Sequence, residues 1–217
     1  MSTKTFQIEV SPEIGSVTAI YMSPPKPSCI LTLAHGAGAG MQHVFMETLA
    51  ESLSKAGIAT LRFNFPFTEQ QKKRPDSPAV AQATIAAAIK KAQSLAPKIP
   101  LFASGKSFGG RMTSQYISAH PESPVKGLIF FGFPLHAAGK PSAGRAEHLR
   151  AITKPMLFLQ GSRDTLATWD LIAAVCQSLP TATLVRLEGA DHSFKAGKTD
   201  VIGLLTAETK NWTAAVV

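Results

Sequence analysis

Cysteine is almost absent: the 217 residues contain two, Cys29 and Cys176. Two isolated thiols make neither a disulfide framework nor a metal cluster. Both stand among apolar residues, where a reduced cysteine behaves as a small core hydrophobe. Long hydrophobic runs are also missing, and none approaches the roughly 18 residues of a membrane span. The opening Met1–Val10 lacks the apolar stretch of a secretory signal. These absences predict a cytoplasmic protein with no membrane partner. Acidic residues are scarce, 14 against 22 basic, for a net charge of +8. That excess could attract an anion. The basic residues are spread out, however, and the one tight run, Lys72-Lys73-Arg74, lies in a polar stretch from Glu69 to Pro78 that reads as a solvated loop. No aromatic-studded basic segment or zinc-finger spacing accompanies it, which argues against nucleic acid as a partner.

What is present is a 45% hydrophobic chain with ordinary amounts of glycine (16) and proline (15). That is the composition of a globular protein with a large interior. No internal repeat or linker interrupts it, so residues 1–217 read as one domain. Phe6–Val10 and Val17–Tyr21 alternate like an opening hairpin. Cys29–Ala34 is continuously apolar, as a strand covered on both faces should be. Phe45, Leu49, Leu53 and Ala56 then recur at helical spacing, and Gly57 stops that helix. The rhythm continues with a strand over Ile58–Phe65, a helix over Ala79–Ala96 and a strand over Pro100–Ser104. A helix over Phe108–His120 and a strand over Val125–Phe133 follow. Next come a strand over Pro155–Gln160, a helix over Thr168–Leu179, a strand over Ala182–Leu187 and a helix over Val201–Ala215. Alternating strands and helices imply right-handed crossovers and a mostly parallel sheet with helices on both faces. The opening hairpin gives this α/β sheet an antiparallel edge.

One motif stands out in that frame: Gly105-Lys106-Ser107-Phe108-Gly109, a G-x-S-x-G falling between a strand and a helix. In that context the glycines permit a turn so sharp that the serine Oγ stands exposed above the sheet. Without chemistry, the same residues would be a plain strand–helix turn. A serine needs a base and a group to orient the base. The strand ending at Gln160 is followed by Gly161-Ser162-Arg163-Asp164, and the strand ending at Leu187 by Glu188-Gly189-Ala190-Asp191-His192-Ser193-Phe194. Whole strand–helix units fit between Ser107, Asp164 and His192. All three then fall at carboxyl ends of strands, where open α/β sheets place their sites. Asp164 could instead cap the Thr168 helix, and His192 could be a surface loop residue. Asp191 is a rival acid, but a residue adjacent to the histidine reaches the far ring nitrogen with difficulty. An oxyanion hole needs two fixed amide donors. Phe108, at the helix start, supplies one, and the turn His35-Gly36-Ala37-Gly38 supplies the other, with Ala37 preferred over Gly38.

The ordered set HGAGAG, GKSFGG, GSRD and GADHSF resembles the α/β-hydrolase superfamily over nearly the whole chain. It is most similar to the small, cap-less dienelactone-hydrolase-like and testis-expressed-protein-like hydrolases. The resemblance implies Ser107 as nucleophile, Asp164 as acid and His192 as base, with no cofactor and no metal. Dienelactone hydrolases carry cysteine as nucleophile, whereas this chain has Ser107, so their substrate is not inherited. Other motifs fail. A phosphate-binding loop needs glycine where Pro100 stands, and a dinucleotide fingerprint needs glycine where Met41 stands.

Between Pro134 and Lys154 roughly twenty residues remain, enough for a flap but not for a folded lid. The pocket is therefore expected to be open, with Phe108, Phe67, Met41 and His43 as walls. Lys106 and Arg111 could favour an acidic substrate, but simple solvent exposure is the stronger reading. The expected activity is cleavage of an ester-like or thioester-like acyl bond in a small molecule. The alternative is a binding or scaffold protein of the same fold. Its mark would be a missing member of the Ser–His–Asp set, and none is missing.

Overall fold

A computed structural model describes residues 1–217, and one eight-stranded sheet organises them. The strands are β1 (Ser2–Ser11), β2 (Gly15–Ser23), β3 (Cys29–Ala34), β4 (Ile58–Phe63), β5 (Leu101–Lys106), β6 (Leu128–Phe131), β7 (Met156–Gly161) and β8 (Ala182–Leu187). Their spatial order is β1-β2-β4-β3-β5-β6-β7-β8. The β1–β2 hairpin is antiparallel and β2 joins β4 antiparallel, while every pairing from β4 to β8 is parallel. This is the expected α/β architecture with an antiparallel edge.

Side-chain alternation explains how the sheet is covered. In β3, Ile30 and Ala34 face one core with Phe63, Ile85 and Met112. Leu31 and Leu33 face a second core with Leu49, Leu53 and Leu205. The first face is covered by α3 (Pro78–Leu95), α4 (Phe108–Ala119) and α5 (Trp169–Gln177), and the second by α1 (Val44–Lys55) and α6 (Val201–Val216). A strand covered on both sides is largely apolar, and all six residues of β3 and of β4 are buried; the one cation among them, Arg62, donates to the Met41 carbonyl and pairs with Glu47. The helices begin where the chemistry directs. Ser77 caps α3 through Val80 N–H with Pro78 at the first helical position, and Asp200 caps α6 through Gly203 N–H. Cys29 and Cys176 are free and buried.

The departures from the sequence reading have local causes. β4 stops at Phe63 because Phe65 N–H leaves the ladder for the His35 ring and Pro66 has no N–H to offer. A one-turn helix α2 (Pro66–Glu69) follows. The strand expected over Val125–Phe133 shrinks to Leu128–Phe131. Gly132, at φ +71°, turns the chain, and Phe133 N–H donates to the Gln160 side chain. The segment from Pro134 to Lys154 carries a 3₁₀ turn (Gly144–Ala151) that lies against α4, held by a 2.8 Å contact between His148 Nε2 and Ser114 Oγ. It does not rise over the sheet as a cap.

Candidate active site

The turn after β5 is as sharp as the motif predicts. Ser107 has φ +51° and ψ −116°, a conformation that side-chain-bearing residues rarely adopt. Such strain persists only when the surroundings impose it. Here close packing imposes it. A β-carbon at Gly105 would lie 2.5 Å from Gly110 N, and one at Gly109 would lie 2.6 Å from the carbonyl oxygens of both Ala34 and His35. The glycines let α4 start directly against β3 and β5, with Ser107 at the apex.

The three side chains picked out by spacing meet there. His192 Nε2 lies 2.8 Å from Ser107 Oγ, and His192 Nδ1 lies 2.7 Å from Asp164 Oδ2. A carboxylate oxygen only accepts, so Nδ1 carries the proton and Nε2 is left to accept from the serine. Asp164 is nearly fully buried and its lone pairs are used. Oδ2 also accepts from Gln160 Nε2 at 2.6 Å, and Oδ1 accepts from Leu166 N–H at 2.8 Å. Asp191 does something else: its Oδ1 accepts from Ser193 N–H and Lys195 N–H, which ties the loop after β8 into a tight turn. That turn forces Phe194 to φ +62°. Gly161 lets the loop approach, since a β-carbon there would sit against the Ala190 carbonyl.

The turn after β3 packs against the apex, with Gly36 beside Ser107. Its geometry is set by His35, which is fully buried. His35 Nδ1–H donates to the Gly36 carbonyl at 2.7 Å, and Nε2 accepts from Phe65 N–H at 3.0 Å. Burial pushes its pKa down to about 4, so the ring stays neutral and keeps this tautomer. The Ala37 and Phe108 amides donate to no internal acceptor.

A cavity of about 390 Å³ opens over Ser107. Gly36–Ala39, His43, Phe45, Met46, Lys106, Leu166 and His192 line it, and nothing from Pro134–Lys154 contributes. A larger groove of about 810 Å³ runs between β1 and α3, but it holds no histidine or cysteine and lies away from these groups. No set of three His, Cys, Asp or Glu side chains converges closely enough to hold a metal ion.

A model of the alpha/beta hydrolase domain family matches residues 27–215. The chain belongs to that family. Solved structures show the same fold at low identity. The hydrolase is similar to XC6422 from Xanthomonas campestris, described as an α/β serine hydrolase without lid, with TM-score 0.78 and 21% identity over 98% of this chain and 95% of that one. The dienelactone hydrolase from Anabaena variabilis matches with TM-score 0.76 and 18% identity over 99% of both chains. The esterase domain of a Rhodothermus marinus protein matches with TM-score 0.74 and 19% identity over the full length of both.

Three expectations need correction in this hydrolase. Of the four proposed walls only His43 lines the cavity. Met41 and Phe67 are buried in the core, and Phe108 packs edge-on against Phe65 at 5.4 Å. Helical spacing put Phe45 on the core face of α1, yet Met46, Leu49, Ala50 and Leu53 fill that face and Phe45 turns to the cavity. Lys106 is not a solvated side chain. Its ammonium donates to the His192 carbonyl and lies 4.9 Å from the centre of the Phe194 ring. Sequence reasoning also passed over Gln160 and His35. The one usable signal was a glutamine closing an otherwise apolar strand, Met156-Leu-Phe-Leu-Gln160.

Proposed function

We propose that this chain is a serine hydrolase that cleaves an ester-like or thioester-like acyl bond of a small molecule. The observation that carries the reading is the unbroken Ser107–His192–Asp164 hydrogen-bond chain at the floor of an open cavity. Ser107 Oγ attacks the carbonyl carbon while His192 Nε2 takes its proton. Asp164 holds the ring in the productive tautomer and stabilises its charged form. Phe108 N–H, at the positive end of α4, and Ala37 N–H receive the developing oxyanion. His192 then protonates the leaving group, and water releases the acyl chain by the reverse steps. No cofactor enters. Esterase and dienelactone hydrolase neighbours are consistent with acyl-bond hydrolysis, and their low identity restricts that support to the fold.

The test is labelling with a fluorophosphonate, which reacts only with an activated serine, alongside turnover of p-nitrophenyl esters. The parent protein should label and turn over. Ser107→Ala should lose labelling and several orders of magnitude in turnover. Ser107→Ala that hydrolyses esters at the parent rate would remove the assignment.

A further inference from the structure

Lys106 occupies an unusual place for a lysine beside a nucleophile. It is half-buried, and its stem passes the Gly36 turn: a β-carbon at Gly36 would sit 3.8 Å from Lys106 Cγ. Its ammonium donates to the carbonyl oxygen of His192 and lies over the Phe194 ring, which stacks on Phe45 at 5.5 Å. A β-carbon at Gly132 would be 3.3 Å from Lys106 Nζ and 3.7 Å from Asp164 Oδ2. Cation and carboxylate thus flank the same glycine. One side chain touches the turn after β3, the loop after β8 and the surroundings of the acid after β7.

We propose that Lys106 is a positioning residue for the base: its cation clamps the His192 backbone and so holds the imidazole between Asp164 and Ser107. The proposal rests on the roles given above to Ser107, His192 and Asp164. The clamp follows from chemistry. A charge-assisted hydrogen bond is roughly twice as strong as a neutral one, and the aromatic face of Phe194 adds attraction for a cation. The ionisable groups around Lys106 are Asp164 after β7, Asp191 and His192 after β8, and His43 at the start of α1. β6 presents Gly132 and α1 presents Phe45, neither charged. The environment acts on Lys106 in return: burial, opposed by Asp164 and Asp191, brings its pKa down to about 8. The clamp therefore slackens at mildly alkaline pH.

The rate of fluorophosphonate labelling from about pH 5 to about pH 9.5 tests this without knowledge of the natural acyl group. The parent should show a falling inflection near pH 8 as Lys106 loses its proton. Lys106→Met should label several-fold more slowly at its plateau, with the alkaline inflection gone. Lys106→Arg, which keeps the charge and does not titrate, should restore most of the plateau rate and still lack the alkaline inflection. Far-UV circular dichroism and thermal unfolding check that both variants fold. If Lys106→Met does not fold, Lys106→Arg alone decides through the alkaline inflection. A parent plateau rate and an alkaline fall kept in folded Lys106→Met, or an alkaline fall retained in Lys106→Arg, would overturn the proposal while the triad reading stands. Labelling that persists in Ser107→Ala would overturn both.

Discussion

Asp164→Asn is the substitution that bears hardest on the proposed chemistry. Asp164 Oδ2 receives two donors, Gln160 Nε2 at 2.6 Å and His192 Nδ1 at 2.7 Å, while Oδ1 receives Leu166 N–H at 2.8 Å. Asparagine has one acceptor oxygen and one amino group. With its oxygen toward Leu166, the amino group faces the imidazole. The ring can then satisfy it only by accepting at Nδ1 and moving its proton to Nε2. An Nε2–H cannot take the serine proton. The expected loss in turnover is about 10⁴-fold, about 5 kcal/mol of transition-state stabilisation. The amino group also meets the Gln160 donor head-on, which costs about 1–3 kcal/mol of stability. Asp191→Asn is the matched control. Its Oδ1 serves Ser193 and Lys195 amides, and an asparagine oxygen can do the same, so the loss should stay below about tenfold. Turnover of a p-nitrophenyl ester and fluorophosphonate labelling read both variants, with unfolding curves to separate stability from chemistry. A larger loss in Asp191→Asn than in Asp164→Asn would refute the assignment of the acid.

Gly109→Ala should cost about 3 kcal/mol and reduce labelling, because the new methyl meets two backbone carbonyls that can move only by pushing α4 off β3. Thermal unfolding would show it, and an unchanged midpoint would contradict the packing argument. Stability should fall with acid from His35. Its ordinary value is 6.5 and its folded value about 4, so below 6.5 the unfolded chain takes up a proton that the folded chain refuses. The contribution, full above pH 6.5 and of about 3 kcal/mol, is lost as pH falls to about 4. Urea unfolding at about pH 7 and pH 4.5 checks the sign, and equal stabilities would remove the account. Since no residue of Pro134–Lys154 lines the cavity, short soluble acyl esters should be preferred, with no jump when substrate forms micelles. A clear optimum at long chains with interfacial activation would contradict the open site.

The parts legible in the sequence are those where one physical demand dominates. A strand covered on both faces cannot hide its composition, so Cys29–Ala34 was readable to the residue; the half-exposed edge strand Ala182–Leu187 was readable instead from its alternation of apolar and polar residues. Ser107 was readable because a turn this tight needs glycines at fixed offsets. Asp164 and His192 followed from their positions after strands. Contacts across the fold were not readable. Lys106 is a cation by sequence and a solvated one by default. Only the arrival of the His192 loop, 86 residues later, turns it inward. Phe45 satisfied helical spacing as well as Met46 did, and only the position of the neighbouring sheet decides which faces the core. Strand ends failed where a side chain outcompeted the ladder, as His35 did for Phe65 N–H and Gln160 for Phe133 N–H.

The strand order has a consequence for how the chain acquires its chemistry. β5, which ends just before Ser107, is separated from β7 by β6, and β8 lies at the far edge. His192 arrives from the loop beyond β8, so no single βα unit holds Ser107, Asp164 and His192 together. Parallel pairing between distant segments is the slow part of folding. During synthesis Ser107 leaves the ribosome well before His192, and domains fold as units once their elements are present. A growing chain that has only completed β5 has neither α4 to impose the turn at Ser107 nor His192 beside it. The arrangement of Ser107, Asp164 and His192 is a property of the finished sheet and of no part of it.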